Sequence, residues 1–218
     1  MSGNIPNSIE IIRLLDSGAE SRNHDFKRGF NWQDRTAETL GLVTDIMAFS
    51  NTQDGGTVIL GVDDSTQEFA GVTGRWWDSF DTTRIMDILN KYCDPRLNIR
   101  VFREENFEYR SKRGPIVVLQ IPEFTDVPII CKVSGNTSDQ QCIFNAGQIY
   151  IRTNRASTEI ISNSQDMREL INRAMLKHGD RLLEAFDAIV RGQRITPPVT
   201  DVFAQYSSEI EEAEDEIG

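Results

Sequence analysis

The sequence predicts an α+β fold built from a mixed, mainly antiparallel sheet with flanking helices. Apolar residues recur every three to four positions in several segments, which is the spacing of helices with a buried face. Short β-branched runs lie between these segments and are bounded by Gly, Pro and Asp turn signals, as in hairpins. Helices and strands do not alternate regularly, so the pattern argues against a purely parallel sheet.

The N-terminal part of the chain is predicted to contain two helices and two strands. Residues 8–18 form a short helix that ends at a glycine, and residues 24–27 form a short strand. Residues 36–51 form a second helix with one buried face, because their apolar residues keep helical spacing. An Asp-Gly-Gly turn at residues 54–56 leads into a buried, β-branched strand at residues 57–62.

The rest of the chain is predicted to place a group of strands between two helices. Residues 76–92 form an amphipathic helix that Asp94-Pro95 stops. A turn at Gly114-Pro115 separates two of the strands that follow. The remaining predicted segments are strands at 97–103, 107–110, 115–121 and 148–152, an apolar stretch at 127–133, and a long helix at about 164–190.

The chain is predicted to consist of one domain, residues 1–192, followed by a linker and acidic tail. This tail, residues 193–218, begins with a Pro-containing linker and is expected to be disordered. The formal net charge is −11, and residues 201–218 carry seven Asp and Glu and no Lys or Arg. Taking that −7 from −11 leaves −4 for residues 1–200. Because attraction to phosphate depends on local potential, the domain can still have a nucleic-acid partner.

Cysteine usage and hydropathy predict a cytoplasmic protein without a membrane span. The three cysteines, Cys93, Cys131 and Cys142, form no CxxC pair, which fits free thiols in a reducing compartment. The N-terminus lacks a basic-then-apolar signal pattern, and no run of about 18 apolar residues is present. The two histidines are far apart in sequence, and no zinc site is predicted.

Three acidic residues, Glu20, Asp25 and Asp63, are the candidate catalytic and metal-binding residues. Glu20 and Asp25 flank a helix-to-strand junction, and Asp63 follows a buried strand. If adjacent strands bring them together, their carboxylates can hold a hard cation such as Mg²⁺ or Mn²⁺. Such an ion activates water and stabilises a phosphodiester under attack. The alternative is a solvated acidic face, with Asp63 and Asp64 as turn formers.

Two basic pairs are the candidate nucleic-acid-binding residues. Lys27 and Arg28 end the first strand, and Arg152 and Arg155 surround a loop that follows a later strand. Both pairs can contact phosphates through charge-assisted hydrogen bonds. The alternatives are a solvated strand edge for the first pair and salt bridges to nearby acids for the second. Trp32 either stacks on a base or belongs to the core.

The Gly55-Gly56 pair before the buried strand permits two interpretations. It is either a phosphate cradle or a tight turn that needs positive φ. The chain contains neither GxxxxGK[ST] nor GxGxxG, so a P-loop NTPase and a simple dinucleotide-binding fold are not predicted.

Three stretches of the sequence resemble the Schlafen-type AlbA_2 domain, once labelled a divergent AAA ATPase domain. The first is Glu20-Ser21-x-x-x-Asp25-Phe26-Lys27, which is similar to the family's ExxxxEFK signature. The second is Ala48-Phe49-Ser50-Asn51-Thr52 followed by Gly55-Gly56-Thr57-Val58-Ile59-Leu60-Gly61-Val62-Asp63-Asp64. The third is Gly147-Gln148-Ile149-Tyr150-Ile151-Arg152, which is like the family's closing strand and arginine loop. Together they span residues 20–155.

The resemblance implies a metal-binding triad. Nuclease members of the Schlafen family use three acids to bind metal and cleave structured RNA, transfer RNA above all. Glu20, Asp25 and Asp63 occupy the matching positions here, Asp64 is an outer candidate, and Lys27 matches the signature lysine. Asp25 stands where the family usually has Glu, so its carboxylate lies one methylene closer to the backbone.

The leading hypothesis is a cytoplasmic, Mg- or Mn-dependent endoribonuclease of the Schlafen-like type. Its expected partner is structured RNA such as tRNA rather than DNA, and its expected setting is phage defence or a toxin-like role. The first alternative is a non-catalytic nucleic-acid-binding or regulatory module. The second is an interaction subunit whose acidic tail docks on a basic partner. Because vertebrate family members join two such lobes into one groove, a homodimer is also expected.

Overall fold

The computed structural model describes residues 8–63, 66 and 68–191. The chain divides into two units, residues 1–175 and 176–218, and the fold below belongs to the first. The helices are α1 (Ser8–Ser17), α2 (Ala37–Ser50), α3 (Gly74–Trp77), α4 (Thr82–Tyr92) and α5 (Ser164–Val190). The strands are β1 (His24–Lys27), β2 (Gly56–Leu60), β3 (Cys93–Asp94), β4 (Arg100–Tyr109), β5 (Lys112–Ile121), β6 (Ile130–Cys131), β7 (Gly135–Asn136), β8 (Cys142–Phe144), β9 (Tyr150–Arg152) and β10 (Thr158–Ile160).

A four-stranded sheet in the order β1-β2-β5-β4 organises the fold. β1 runs parallel to β2, whereas β5 runs antiparallel to both of its neighbours. Three antiparallel strand pairs, β9 with β10, β3 with β6 and β7 with β8, accompany it. The predicted α+β fold with a mixed, mainly antiparallel sheet is therefore confirmed. In this order β1 is an edge strand.

The two faces of this sheet carry separate hydrophobic cores. Side chains alternate along a strand, so Phe26 and Ile59 face α1 on one side. Their neighbours Val58 and Leu60 face α2 and α4 on the other side. Each fully buried Leu, Ile or Phe contributes about 1.5–3 kcal/mol relative to its exposed state. Because both faces of the sheet are buried in a core, the direction in which each strand residue points is fixed.

Helix α2 is buried more completely than its sequence predicts. Thr36 caps its N-terminus by accepting a hydrogen bond from the Thr39 amide. Nearly every residue from Leu42 to Ser50 is buried, however, and the prediction of a single buried face is wrong. Strands β8, β9 and β10 contact the helix in addition to the sheet, which explains the extra burial.

The buried Asn51 at the C-terminal end of α2 joins the helix to two distant segments. Its side-chain amide donates to the Ile129 and Tyr150 carbonyl oxygens at 2.8 and 2.9 Å, and its oxygen accepts from the Ile129 amide at 2.8 Å. These bonds satisfy backbone groups that would otherwise be buried without partners. They also hold β9 against α2.

The Gly55-Gly56 pair forms a tight turn and a close packing contact. Gly55 has φ +68°, and a Cβ there would lie 2.2 Å from the Ile121 carbonyl oxygen. A Cβ on Gly56 would lie 2.0 Å from the ring of Phe49. The turn interpretation of this pair accounts for both glycines, because each is required by backbone geometry or packing.

Two predicted boundaries are wrong for identifiable reasons. The helix predicted at 76–92 is divided, because Asp81 caps a new helix by accepting from the Thr83 and Arg84 amides. The β4–β5 hairpin turns at Arg110-Ser111, whose φ values of +46° and +64° suit a two-residue hairpin turn. Gly114-Pro115 lies inside β5 instead, opposite an irregularity in β4 that accommodates the proline.

Three further expectations concern the tail, a membrane span and Trp32. The predicted linker and acidic tail, residues 193–218, lie outside the described residues. Among the helices of the described segments, none is both long and apolar enough to cross a membrane. Trp32 belongs to the core, with only 3% of its surface exposed, so it does not offer a stacking surface.

Candidate acidic site at the edge of the sheet

Strand β1 presents two charged residues towards α2. Asp25 and Lys27 are two positions apart and therefore point to the same face, whereas Phe26 between them is buried against α1. Asp25 is only 3% exposed despite its charge. A buried carboxylate requires partners, because the loss of hydration is otherwise uncompensated.

The first partner of Asp25 is Glu20, in the segment that leads into β1. The two carboxyl groups interact, and each one shifts the pKa of the other. Partial burial of the carboxyl group, followed by the hydrogen bond to Asp25 and its negative charge, raises the pKa of Glu20 to about 7. The Phe26 amide donates to Glu20 Oε1 at 3.4 Å, which holds the side chain along the open edge of β1. Two of the three predicted acids therefore interact at this edge of the sheet.

Lys27 joins Asp25 to an acid that the sequence did not single out. Its Nζ lies 3.0 Å from Asp25 Oδ2 and 2.9 Å from Asp45 Oδ2. Asp45, on α2, also accepts a 2.6 Å hydrogen bond from the Thr158 hydroxyl on β10. Burial opposes the charge of Lys27, but the two carboxylates outweigh it and raise the pKa of this lysine. Lys27 is thus held between two acids.

Arg152 is a buried member of the same network. Its Nη1 lies 3.8 Å from Asp25 Oδ2 and donates to the Thr158 hydroxyl at 3.3 Å. Its Nη2 donates to the Ser21 carbonyl oxygen at 3.3 Å, and its guanidinium lies 4.7 Å from the centre of the Phe49 ring. With 3% of its surface exposed, Arg152 faces Asp25 and not solvent, in contrast to its predicted position at a nucleic-acid backbone.

The cations set the ionisation state of Asp25. Burial alone would raise the pKa of this carboxyl group. The hydrogen bond from Glu20 and the charges of Lys27 and Arg152 outweigh burial and hold the pKa of Asp25 below its ordinary value. The acid pair thus consists of an ionised Asp25 and a Glu20 that retains a proton up to near neutral pH.

The third predicted acid, Asp63, lies beyond the end of β2. The Gly61 and Val62 amides both donate to the Lys27 carbonyl oxygen, which brings the residues after β2 to the end of β1. There the Asp63 carboxylate forms an ion pair with Arg28 and accepts a 3.0 Å hydrogen bond from the Thr66 amide. Asp64, the outer candidate, lies outside the described residues.

The acids as arranged do not form a three-carboxylate cage. Among the residues that the structure describes, no three His, Cys, Asp or Glu side chains are grouped so that they could hold a metal ion. The Glu20–Asp25 pair supplies two carboxyl groups, and Mg²⁺ sites in proteins often use one or two carboxylates and several waters.

A groove of about 610 Å³ begins beside this network. Lys27, Arg28 and Asp45 line its charged side, and the partly buried rings of Phe30 and Trp76 line its apolar side. Charged groups beside exposed aromatic faces suit a nucleic-acid strand, since cations contact phosphates and rings stack on bases.

The fourth predicted basic residue, Arg155, has a different environment from Arg152. It is exposed in the loop between β9 and β10, where its amide donates to the Thr153 hydroxyl. The β9–β10 hairpin lies beside the acidic network, because the Thr158 hydroxyl on β10 donates to Asp45. Arg155 therefore stays available to a phosphate.

Sequence reasoning missed Asp45, Thr158 and Trp76. Asp45 carried a usable signal, because it is a single charge within the apolar helical run Leu42-Val43-Thr44-Asp45-Ile46-Met47. A charge in a buried helix needs a partner. Thr158 and Trp76 carried no such signal, because only the tertiary fold brings them to the site.

Known proteins that are similar to this chain include one curated relative and one solved structure. The "Uncharacterized ATP-binding protein UU034" of Ureaplasma parvum is 26% identical over 192 residues, covering 84% of this chain and 51% of the relative. This chain thus spans about half the length of that curated relative. The crystal structure of the DIP2311 protein from Corynebacterium diphtheriae has a TM-score of 0.44 and 15% identity, covering 72% of this chain and 26% of that one.

The match to a protein family covers the sheet and the acidic site. The family model described as Schlafen, AlbA_2 matches residues 20–161, which is more than half of the chain. The match begins at Glu20 and ends just after β10, so it includes Asp25, Asp45 and Asp63. This chain belongs to the Schlafen AlbA_2 family.

Proposed function

We propose that this chain is a divalent-metal-dependent endoribonuclease whose reactive centre is the Glu20–Asp25 pair. The observation that carries the proposal is the position of both acids on an edge strand beside cationic side chains: Glu20 Oε1 accepts from the Phe26 amide at 3.4 Å, and Asp25 Oδ2 lies 3.0 Å from Lys27 Nζ. Structured RNA such as tRNA is the proposed substrate, by analogy with the nuclease members that the sequence resembles. A reducing cytoplasm is the proposed location, and the free thiols of Cys93, Cys131 and Cys142 support it.

The acid pair would hold the metal ion. Mg²⁺ or Mn²⁺ bound there supplies an activated water and neutralises charge on the phosphodiester. Glu20 would exchange its shared proton for the ion, and Asp25 would contribute an already ionised carboxylate. Asp63 would join the ion as a third ligand only after its ion pair with Arg28 opens, and a phosphate can compete for that pair, since the Arg28 side chain is 70% exposed.

The surrounding residues would orient the acids and hold the RNA. Lys27 and Arg152 are positioning residues, because both are engaged with Asp25 inside the network. Arg28 and Arg155 are exposed enough to contact phosphates. Trp76 lies on the far wall of the groove, where an unpaired base can stack.

A specific observation favours one alternative, a nucleic-acid-binding module without catalysis. Asp25 and Asp63 each form an ion pair, with Lys27 and with Arg28. If these pairs persist when RNA binds, the acids remain neutralised and no ion is held. The name of the Ureaplasma relative suggests ATP as another ligand, but this chain has no GxxxxGK[ST] motif to cradle a triphosphate.

Cleavage assays separate these functions. The full-length protein is incubated with tRNA, ribosomal RNA and single-stranded DNA, with Mn²⁺ or with a chelator. We expect metal-dependent cleavage of RNA that falls by roughly 100-fold in Glu20→Gln and in Asp25→Asn, the size seen when one stabilising group is removed from a reactive centre. Asp63→Asn tests the third ligand.

Matched variants make the result interpretable. Glu105→Gln and Asp87→Asn remove exposed acids away from the site and should cleave as the wild type does. Circular dichroism confirms that each variant is folded, which matters most for the buried Asp25. Cleavage that survives chelation contradicts the proposal of a metal-dependent nuclease. Cleavage that neither Glu20→Gln nor Asp25→Asn reduces contradicts it as well. Tight RNA binding without cleavage by the wild type establishes the binding module instead.

A further inference from the structure

A row of polar side chains crosses all four strands of the main sheet. The register pairs His24 with Thr57, Thr57 with Gln120, and Gln120 with Arg100. Residues in register point to the same face of a sheet. With a strand spacing of about 4.8 Å, the row extends about 14 Å from the β1 edge to the β4 edge.

This polar row lies on the face that α1 covers, opposite the acidic site. The next row on the same face is Phe26, Ile59, Val118 and Phe102, and it is apolar and packed in the core with α1. Four apolar residues are thus followed by four polar ones. If this face of the sheet served only to pack against α1, the polar row would not need to replace a further apolar row.

A cavity of about 690 Å³ lies over the polar row. This volume is in the range of small-molecule sites. Asn98 adds a further amide at the Arg100 end, and Leu14, Ile121 and Pro122 provide an apolar wall. The cavity therefore combines a few convergent polar groups with an apolar surface, as ligand sites do.

Three donors of the polar row are not used by the protein itself, whereas Asn23, which also lines the cavity, donates to the Gln53 and Gly55 carbonyl oxygens. Among the described residues, the side chains of Arg100, Gln120 and Thr57 have no hydrogen-bond or ion-pair partner. His24 at the other end is fixed, because its ring nitrogens contact the Ser21 hydroxyl at 2.6 Å and the Ala19 carbonyl oxygen at 2.5 Å. The row thus offers solvent-accessible donors, free of protein partners, at one end and a fixed imidazole at the other.

We infer that this cavity binds a small phosphate ester, with its phosphate at Arg100. A guanidinium recognises phosphate through two parallel hydrogen bonds, and the Gln120, Thr57 and Asn98 groups can complete the contact. Glu10 and Asp54 also line the cavity, and their carboxylates can accept hydrogen bonds from hydroxyl or amino groups of the same ligand. These acids also disfavour a polyanionic strand, so the ligand is a single ester and not a nucleic-acid backbone.

Calorimetric titration of the full-length protein tests this site. The probes are AMP, ribose 5-phosphate, adenosine and inorganic phosphate. We expect both esters to bind, and adenosine and inorganic phosphate to bind at least about tenfold more weakly, since each lacks half of the contacts. Tighter binding of AMP than of ribose 5-phosphate identifies a nucleotide ligand, whereas equal binding identifies a sugar phosphate.

Three variants assign the binding to the polar row. Arg100→Gln should weaken AMP binding by about tenfold or more, because it removes a charge-assisted contact. Thr57→Val should weaken it by about fivefold, through loss of one neutral hydrogen bond. Arg96→Gln removes an exposed arginine outside the cavity and should bind as the wild type does.

Two results would overturn the inference. One is the absence of binding by both esters, and the other is an unchanged affinity in Arg100→Gln with a circular dichroism spectrum like that of the wild type. This titration uses neither RNA nor a divalent metal ion, and the polar row lies on the opposite face of the sheet from the acidic site. Failure of the nuclease proposal and failure of this one are therefore separate outcomes.

Discussion

The Glu20–Asp25 pair is the residue-scale feature with the clearest physical consequence. With Glu20 protonated, the buried network contains two carboxylates, on Asp25 and Asp45, and two cations, on Lys27 and Arg152. Its charges then balance. Ionisation of Glu20 adds one uncompensated negative charge beside Asp25, which is the state that a bound cation would stabilise.

The shared proton predicts a change of stability with pH in metal-free buffer. Folding raises the pKa of Glu20 from 4.5 to about 7, so the folded chain binds this proton more strongly than the unfolded chain. The contribution of Glu20 is therefore present below about pH 4.5 and is lost as pH rises through about 7. We expect the free energy of unfolding of the wild type to fall over this range relative to Glu20→Gln, whose amide keeps the hydrogen bond to Asp25.

Urea titrations at intervals from pH 5 to 8 measure this difference. Glu105→Gln is the control, because Glu105 is exposed and should follow the wild type. Parallel curves for the wild type and Glu20→Gln would mean that Glu20 titrates alike in the folded and unfolded chains. The contribution of Asp25 to the free energy of unfolding has the opposite pH dependence. Because folding lowers the pKa of Asp25, this contribution is present at neutral pH and is lost only as the pH falls into the acidic range.

The sequence predicted part of this site and not the rest. Glu20 and Asp25 are close in the chain, so their position at one helix–strand junction could be read from local pattern. The position of Asp63 could not, because its approach to Arg28 depends on how the chain turns after β2. Arg152 looked like a surface residue because burial of a loop-adjacent arginine is a tertiary effect.

At the scale of elements, the contact between α2 and β2 positions both the acidic site and the hydrophobic core. The helix packs so closely on the sheet that any side chain at position 56 would collide with the Phe49 ring. Asp45 reaches Lys27 and Thr158 from the same helix. A change in the separation of α2 and β2 would therefore affect the acidic site as well as the core.

A methyl group added at Gly56 should destabilise the protein. The Cβ of Gly56→Ala would lie 2.0 Å from Phe49 Cδ1, and Phe49 is fully buried and cannot move aside freely. Overpacking of this kind costs about 1–3 kcal/mol. Gly41→Ala is the control, because nothing lies within 4 Å of a Cβ there and alanine favours the α2 helix.

Urea denaturation of the two variants gives the comparison directly. We expect a lower midpoint for Gly56→Ala and an unchanged or higher midpoint for Gly41→Ala. Equal stability of Gly56→Ala and the wild type would show that the α2–β2 contact adjusts easily. That result would also weaken the argument that this contact fixes the distance between Asp45 and Lys27.

Elements were predicted best where one local signal decides them. Strand β1 and helices α1, α2 and α5 have strong periodicity or clear end signals, and their predicted bounds are confirmed within a few residues. The β4–β5 turn was misplaced because Gly114-Pro115 is the stronger turn signal in isolation. The turn forms at Arg110-Ser111 instead, because a turn at that position allows two ten-residue strands to pair along their length.

At the scale of the whole molecule, charge is distributed unevenly along the chain. Residues 201–218 contribute −7 of the net −11 and contain no cation. The acidic site, in contrast, is surrounded by Lys27, Arg28, Arg152 and Arg155. A polyanion such as RNA is attracted by the local cations and repelled by the total charge.

Neutralising the acidic segment should therefore strengthen RNA binding. The variant keeps the full chain and changes the seven acids of residues 201–218 to Asn and Gln, which brings the formal charge from −11 to −4. We expect several-fold tighter binding of tRNA at low salt, and a difference that shrinks as salt rises, because the Debye length falls to about 8 Å at 0.15 M. Equal affinities for the variant and the wild type at low salt would mean that these acids do not act on the RNA site. A difference that stays constant from low to high salt would point to direct competition by the segment for a basic partner surface, because simple repulsion between like charges is screened.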